Sequence, residues 1–468
     1  MVASVCASLL GSASAGASGT SVSPTGSTES TAALAATTGI HKIKHVIVIM
    51  QENRSFDDYF GTYPGADGIP ATNGQFTVCN PDPIAKTCDK PYHNPSDTDL
   101  GGCHGGACIS VIEDGGKMDG FVTSAEQFSY PTDVMGYQDA RDIPNYWAYA
   151  QNFVLNDHMF MSTTGWSLPQ HLYMVSAWSA LCSTAQASSC VNNIEGPYSP
   201  NVEEQQVNQA LSTGTSTDHH SWTDITYLLY KKSVSWRYYI ETGTTPDCVD
   251  GNVATCPSNP QSYKTPGIWN PLPLFSDVQQ DNQISNVKPL DSYFTAAAAG
   301  TLPAVSWISP SGPNSEHPQI GGIHEGQAYV TNLINAAMSG PDWNSTAIFL
   351  SWDDWGGFYD NVMPPTVDKN GFGPRVPSLV ISAYAKKGYI DHQTLSQDAY
   401  LKFIEDDFLG GSRLDPKTDG RPDPRPDVRE NQPALGNMVS DFNFSQTPRP
   451  PVLLPLNPAP GPASTPGG

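Results

Sequence analysis

Short apolar runs that end in polar side chains set the frame of this chain. Val46 to Met50 is continuous, apolar and rich in β-branched residues. Such a run predicts a strand buried on both faces, as in a parallel sheet. It enters Gln51, Glu52, Asn53 and Arg54 with no Gly or Pro between. Ala347 to Trp352 (A-I-F-L-S-W) predicts a second strand and runs into Asp353-Asp354, and Leu379 to Ile381 predicts a third. Helical patterns alternate with them. Asn145 to Phe160 reads as a helix rich in aromatics and alanine. Gln327 to Met338 puts Val330, Leu333, Ile334 and Ala337 on one face, with Gly340 as a stop. Ser396 to Phe408 reads as a helix ended by Gly410-Gly411. The alternation predicts an α/β fold, a mostly parallel sheet with helices on both faces, with ligands at the carboxyl ends of the strands.

Flanking segments differ in composition. Residues 1–38 read as a signal-like and low-complexity leader: Val2 to Leu10 is weakly apolar, Ala13-Ser14-Ala15 is a cleavage-like pattern, and Ser, Thr, Ala and Gly dominate thereafter. A basic segment before the apolar run is missing. Residues 39–446 carry the structured pattern, and 447–468 form a Pro-rich tail expected to be extended and poorly packed. Apart from the leader, no stretch approaches the roughly 18 apolar residues of a membrane-spanning helix. The net charge of −23 argues against nucleic acid and against an electrostatically held membrane surface. Any anion site must therefore be built locally.

Eight cysteines fall into neighbouring couples: Cys79 with Cys88, Cys103 with Cys108, Cys182 with Cys190, and Cys248 with Cys256. Local couples in loop-like sequence read as disulfides of an oxidising compartment, a secreted or cell-envelope protein. C-H-G-G-A-C, Cys103 to Cys108, is also a rival for a small zinc site, but its spacing is cramped and it lacks a second half.

Two strands thus deliver Glu52, Asn53, Asp353 and Asp354 to one rim. Carboxylates packed together repel unless a positive charge sits among them, and hard oxygen donors call for a divalent cation. Ordinary loop acids are the plainer reading in a chain with 46 acidic residues.

Four separated motifs in order make the chain recognisable: I-M-Q-E-N-R-S-F-D-D-Y-F-G, G-K-M-D-G-F-V, L-P-A-V-S-W-I-S-P followed by S-E-H-P, and S-W-D-D-W-G-G-F-Y-D. Together they resemble the bacterial phosphoesterase family, which joins nonspecific phospholipases C with a secreted acid phosphatase. The resemblance spans about Lys42 to about Phe444. It implies a three-layer, alkaline-phosphatase-like fold, to which the cysteine couples add disulfide-bearing loops. It implies metal ligation by Glu52, Asn53, Asp353 and Asp354, and a nucleophilic hydroxyl that also touches the metal. That hydroxyl precedes an x-P-N-R-like segment in the family; the matching T-T-G-W-S-L-P-Q-H points to Ser167, with Ser162, Thr163 and Thr164 as competitors. A helix N-cap is the plainer role for Ser167. The cation implied is Ca²⁺, Mg²⁺ or Mn²⁺, as suits oxygen donors.

His317 of S-E-H-P and His104, fifteen residues before Asp119, match the family's acid/base and phosphate-binding places. Asp119 is a candidate to orient one of them, or a turn residue before Gly120. His93 is a substitute for His104. There are departures too. Ile268 and Trp269 stand where acid phosphatase relatives carry paired histidines, Asn361 stands in D-N-V for the family's D-H-V, and Ser110 stands near a second histidine's place. His219-His220 lies in another stretch and takes over no such role. These put substrate preference in doubt and leave the metal set intact. The expected activity is phospholipase C-type hydrolysis of a phospholipid or small phosphate ester through a phosphoserine; the alternative is an acid phosphatase acting on monoesters. Trp166, Trp269, Trp352 and Trp355 are candidates to meet a lipid or choline group, or to pack in the core. G-W-S-L-P lacks the second glycine of an esterase nucleophile elbow.

Overall fold

The computed structural model describes residues 39–130, 133–194, 220–245 and 259–467. Its centre is an eight-stranded sheet. In chain order the strands are β1 (His45–Gln51), β2 (Val154–Asn156), β3 (Trp236–Ile240), β4 (Val287–Pro289), β5 (Val305–Ser309), β6 (Thr346–Trp352), β7 (Ser378–Ser382) and β8 (Tyr389–Asp391). Their spatial order is β4-β3-β5-β1-β6-β7-β2-β8. Only β7 runs against the rest, pairing antiparallel with β6 and β2. The three expected strands are β1, β6 and β7. Val46 through Gln51 is wholly buried, as a strand covered on both faces must be. β1 and β6 are parallel neighbours whose register pairs Gln51 with Trp352. Glu52 and Asp353 therefore leave the sheet side by side.

Helices cover both faces. The principal ones are α1 (Pro144–Asn152), α2 (Ser167–Ser176), α3 (Asp291–Ala299), α4 (Ile323–Ser339) and α5 (Asp398–Phe408). Alternation along β6 sends Phe349 and Trp352 to opposite faces. Phe349 stacks on Tyr400 and meets Phe403 edge-on, both of α5. Trp352 meets Tyr146 of α1 edge-on. On α1's side Asn145 bonds Thr331 of α4, and Tyr293 of α3 donates to Leu333 O. On the other side α2 packs against α5.

Two expectations need correction. The helix predicted over Asn145–Phe160 ends at Asn152, because Phe153 turns extended and Val154–Asn156 enters the sheet as β2. The tail is extended but not poorly packed. Leu454 and Asn335 exchange hydrogen bonds, Asn145 donates to Pro455 O, and Ser464 donates to Asp139. Its backbone, unpaired in any strand, finds partners on α4 and α1 instead. Three expected disulfides are present, Cys79–Cys88, Cys103–Cys108 and Cys182–Cys190. Cys248 and Cys256 lie outside the described residues.

Several carboxyls are buried in ways that tie stability to pH. Burial pushes Asp407 from 3.8 to about 7 against the pull of His41. Burial and the neighbouring Asp368 push Asp427 to about 7. A carboxyl whose folded pKa is raised contributes stability that is fully present below its unfolded value, and that stability is lost as pH rises through the folded value. The expected result is a melting temperature several degrees higher at pH 5 than at pH 8, read by calorimetry at constant ionic strength. A flat or rising trend over that range would contradict these two assignments.

Candidate active site

The rim beyond β1 and β6 gathers the residues that the sequence singled out. Asn53 adopts φ 55°, a left-handed conformation that asparagine tolerates. Its backbone N–H donates to Asp353 Oδ1 at 3.0 Å and its amide to Asp354 Oδ1 at 2.8 Å. Glu52 N–H donates to Ser315 O at 3.0 Å. Gln397 of the opposite layer donates to the carbonyls of Trp352 and Asp353, which fixes the end of β6.

Tight glycines bring the next loop in. Gly356 has φ +63°, and a Cβ there would lie 2.4 Å from Asn53 O. At Gly357, φ +79°, a Cβ would lie 2.3 Å from Gly102 Cα. Gly102 N–H donates to Gly356 O at 2.8 Å. The segment bearing His104 is thereby laid on the segment bearing Asp353 and Asp354, and Cys103–Cys108 closes the His104 loop. That disulfide removes both thiolates from the rival zinc reading.

Ser167 opens α2; the preceding Trp166, not Ser167, holds the N-cap position. Its hydroxyl lies 3.1 Å from Asp354 Oδ2 and 3.3 Å from Glu52 Oε2. The competitors point elsewhere: Thr163 and Thr164 donate to Asn370 O, and Ser162 faces Asp398. Glu52, Asn53, Ser167, Asp353 and Asp354 are all fully buried. Asn53 Oδ1 and Asp353 Oδ2 accept no hydrogen bond. A buried amide oxygen and a buried carboxylate oxygen without donors are costly unless a cation is near, so this set fits a divalent ion.

His171 was not singled out from the sequence. It stands four residues after Ser167 on α2, one turn along the same face. Its Nε2 lies 2.8 Å from Glu52 Oε1 and 4.0 Å from Asp353 Oδ2. The signal was that spacing, readable only once Ser167 was chosen.

His104 and His317 come together, their ring centroids 5.8 Å apart and both buried. His104 Nδ1 lies 2.9 Å from Gly102 O, and His317 Nδ1 lies 2.8 Å from Pro318 O. A carbonyl can only accept, so each Nδ1 carries its proton and each Nε2 is the atom left to accept or donate one. Backbone carbonyls therefore orient these rings. The orienting role expected for Asp119 is corrected: Asp119 sits near the surface with Asp114 and Lys117, and burial with Asp114 raises its pKa. His93 pairs with Asp142 and does not substitute for His104.

Around the centre, departures find structural roles. Asn361 accepts from Arg375, Ser110 is exposed on a short helix, and Ile268 and Trp269 are core. His220 packs on Trp222 and Phe275; His219 lies outside the described residues. All four site tryptophans are fully buried, so the lipid-contact reading gives way to packing. Trp355 meets His104 edge-on, and Trp269 leans on His171.

Arg54 serves the site from below. It donates to Tyr59 Oη at 3.0 Å and Glu316 O at 2.8 Å, and pairs with Asp58 and Asp99 at 3.6 Å. Glu316 adopts φ 69°, a strained backbone for this residue type that turns the chain into His317. Its carboxylate accepts from Tyr59, Tyr146 and Trp352. Burial raises its pKa against those three bonds and Arg54.

The chain also resembles known proteins. The family model described as Phosphoesterase family matches residues 43–409. The chain is 27% identical to phospholipase C B of Mycobacterium tuberculosis, over 87% of this chain and 79% of that protein. It is 27% identical to a non-hemolytic phospholipase C of Burkholderia pseudomallei, over 87% of this chain but only 60% of that longer protein. A solved protein of the alkaline phosphatase superfamily from Vibrio parahaemolyticus is similar at 8% identity and TM-score 0.33, over 78% of this chain and 68% of that one.

Proposed function

The chain belongs to the phosphoesterase family and is a phosphoric ester hydrolase; from that premise we propose a metal-dependent enzyme of phospholipase C type with Ser167 as nucleophile. The observation that carries the reading is Ser167 Oγ, buried at the start of α2 and within 3.3 Å of oxygens of both Glu52 and Asp354. Glu52, Asn53, Asp353 and Asp354 would hold a divalent cation, with Ca²⁺, Mg²⁺ and Mn²⁺ as the ions for oxygen donors. Such an ion lowers the pKa of a nearby hydroxyl and offsets charge on phosphoryl oxygens.

Ser167 donates its proton to Asp354 Oδ2, which leaves an oxygen lone pair for phosphorus. The N-terminal end of α2 favours the negative charge that develops there. The Ser167–phosphorus bond forms as the bond to the leaving alcohol breaks. His104 or His317, entering the step as the imidazolium with a proton on each ring nitrogen, gives that alcohol the proton on Nε2. Water then attacks the phosphoserine and the same Nε2 takes its proton; as the bond from phosphorus to Ser167 breaks, Asp354 returns the proton it took and Ser167 leaves as the hydroxyl. The substrate class is a phospholipid or small phosphate ester. Nucleic acid is unfavoured by the charge of −23. Three disulfides support a secreted or cell-envelope location. Among the described residues no helix is long and apolar enough to cross a membrane. We take 39–446 as the catalytic domain, between a leader and the tail.

The test is hydrolysis of p-nitrophenyl phosphorylcholine, a diester, beside p-nitrophenyl phosphate, a monoester, by metal-reconstituted protein across acid to mildly alkaline pH. The expected result is a higher kcat/KM for the diester. Preference for the monoester would overturn the phospholipase C reading in favour of an acid phosphatase.

A further inference from the structure

We infer that His171 is a nitrogen ligand of the cation, and that the site thereby selects a first-row transition ion such as Mn²⁺ over Ca²⁺ and Mg²⁺. The inference rests on the metal-site reading above and goes beyond its all-oxygen ligand set. His171 Nε2, a Glu52 oxygen and an Asp353 oxygen lie within 4.8 Å of one another, and all three residues are buried. Nε2 is 2.8 Å from Glu52 Oε1 and 4.0 Å from Asp353 Oδ2, separations that two ligands of one ion can have. The pairing with Glu52 alone is also a hydrogen bond. What a hydrogen bond leaves unexplained is Asp353 Oδ2, fully buried, facing Nε2, and accepting from no donor. Asn53 Oδ1 is likewise buried and accepts from no donor. A cation held by Glu52, His171 and Asp353 would satisfy Asp353 Oδ2.

The fold supplies the geometry. Residues i and i+4 share a helix face, so the helix that presents the Ser167 hydroxyl presents the imidazole with it. Trp269 lies beside the imidazole with ring centroids 6.4 Å apart. Ca²⁺ and Mg²⁺ take oxygen almost exclusively, whereas imidazole suits transition ions, and mixed nitrogen and oxygen donors favour them over the alkaline earths.

The test uses the full chain stripped of metal and reloaded with Mn²⁺, with Ca²⁺ as competitor. In the wild type, electron spin-echo spectroscopy of bound Mn²⁺ is expected to show a coupled imidazole nitrogen. Titration is expected to show Mn²⁺ bound at least roughly tenfold tighter than Ca²⁺. His171→Gln should lose the nitrogen coupling and at least about tenfold in Mn²⁺ affinity, with Ca²⁺ affinity nearly unchanged. A wild-type spectrum without nitrogen, or equal affinity for the two ions, overturns the inference without recourse to any variant. Asp353→Asn separates the layers. If it loses metal while His171→Gln keeps both ions, only the role of His171 fails. If Asp353→Asn also keeps its metal, the underlying site fails.

Discussion

Ser167→Ala is expected to lower kcat by at least about 10³-fold while the protein keeps its fold. The hydroxyl is the atom that bonds to phosphorus in the proposed reaction, so its removal deletes a step and not a contact. The remaining carboxylates and histidines cannot replace it, because none presents an uncharged, deprotonatable oxygen at the start of α2. The structural cost is small by comparison. Alanine favours a helix, and the loss is one hydroxyl hydrogen bond, shared between Glu52 and Asp354 and worth about 1 kcal/mol. A second readout separates nucleophile from bystander. Acid quenching of the wild type during turnover should trap phosphate on the peptide containing Ser167, and the variant should trap none. Retained turnover would move the nucleophile to another hydroxyl. Thr163 and Thr164 would be poor heirs, since both are bonded to Asn370 O.

Much of this site was legible because it hangs on the plainest feature of the chain. A strand buried on both faces must be apolar throughout, so β1 and β6 declare themselves, and the polar residues that follow must stand at a rim. The register of Gln51 with Trp352 then brings Glu52 and Asp353 together. The end of α1 was not legible, because Phe153, Val154 and Leu155 continue an apolar pattern that suits helix and strand alike, with no Gly or Pro to divide them. Asp119 misled for a different reason. A triad-like pattern suggests that an acid orients the histidine, but His104 and His317 each place Nδ1 against a backbone carbonyl, which every residue carries. Glu316 was invisible as a hub because its partners Tyr59, Tyr146 and Trp352 come from distant parts of the chain.

Arg54→Met should destabilise the protein by about 3–5 kcal/mol, the largest loss of stability we expect from one substitution near the site. The guanidinium is fully buried, and burial works against its charge. Tyr59, Asp99, Asp58 and Glu316 outweigh that and hold it protonated. Methionine fills much of the same space against Phe358, whose ring lies 4.8 Å from the guanidinium carbon, so the loss is one of charge more than of volume. Without Arg54, Asp58, Asp99 and Glu316 face one another with no cation. Burial already pushes Asp99 up to about 6 even with Arg54 opposing it, and raises Asp58 well above its usual range. In the variant these carboxyls must take up protons or leave the interior. The deficit should therefore shrink as pH falls from 8 toward 5, because protonation removes the repulsion. Denaturant midpoints at both pH values measure it, and a loss below about 1 kcal/mol at pH 8 would show that the acids are already neutral and that Arg54 balances no charge. A functional trace should accompany the structural one. Arg54 also donates to Glu316 O at the strained turn before His317, so the folded fraction of the variant should show a lower kcat with KM little changed. In the proposed reaction Glu52 and Asn53, at the end of the buried strand, would hold the cation, while Arg54 donates to Glu316 O at the turn before His317.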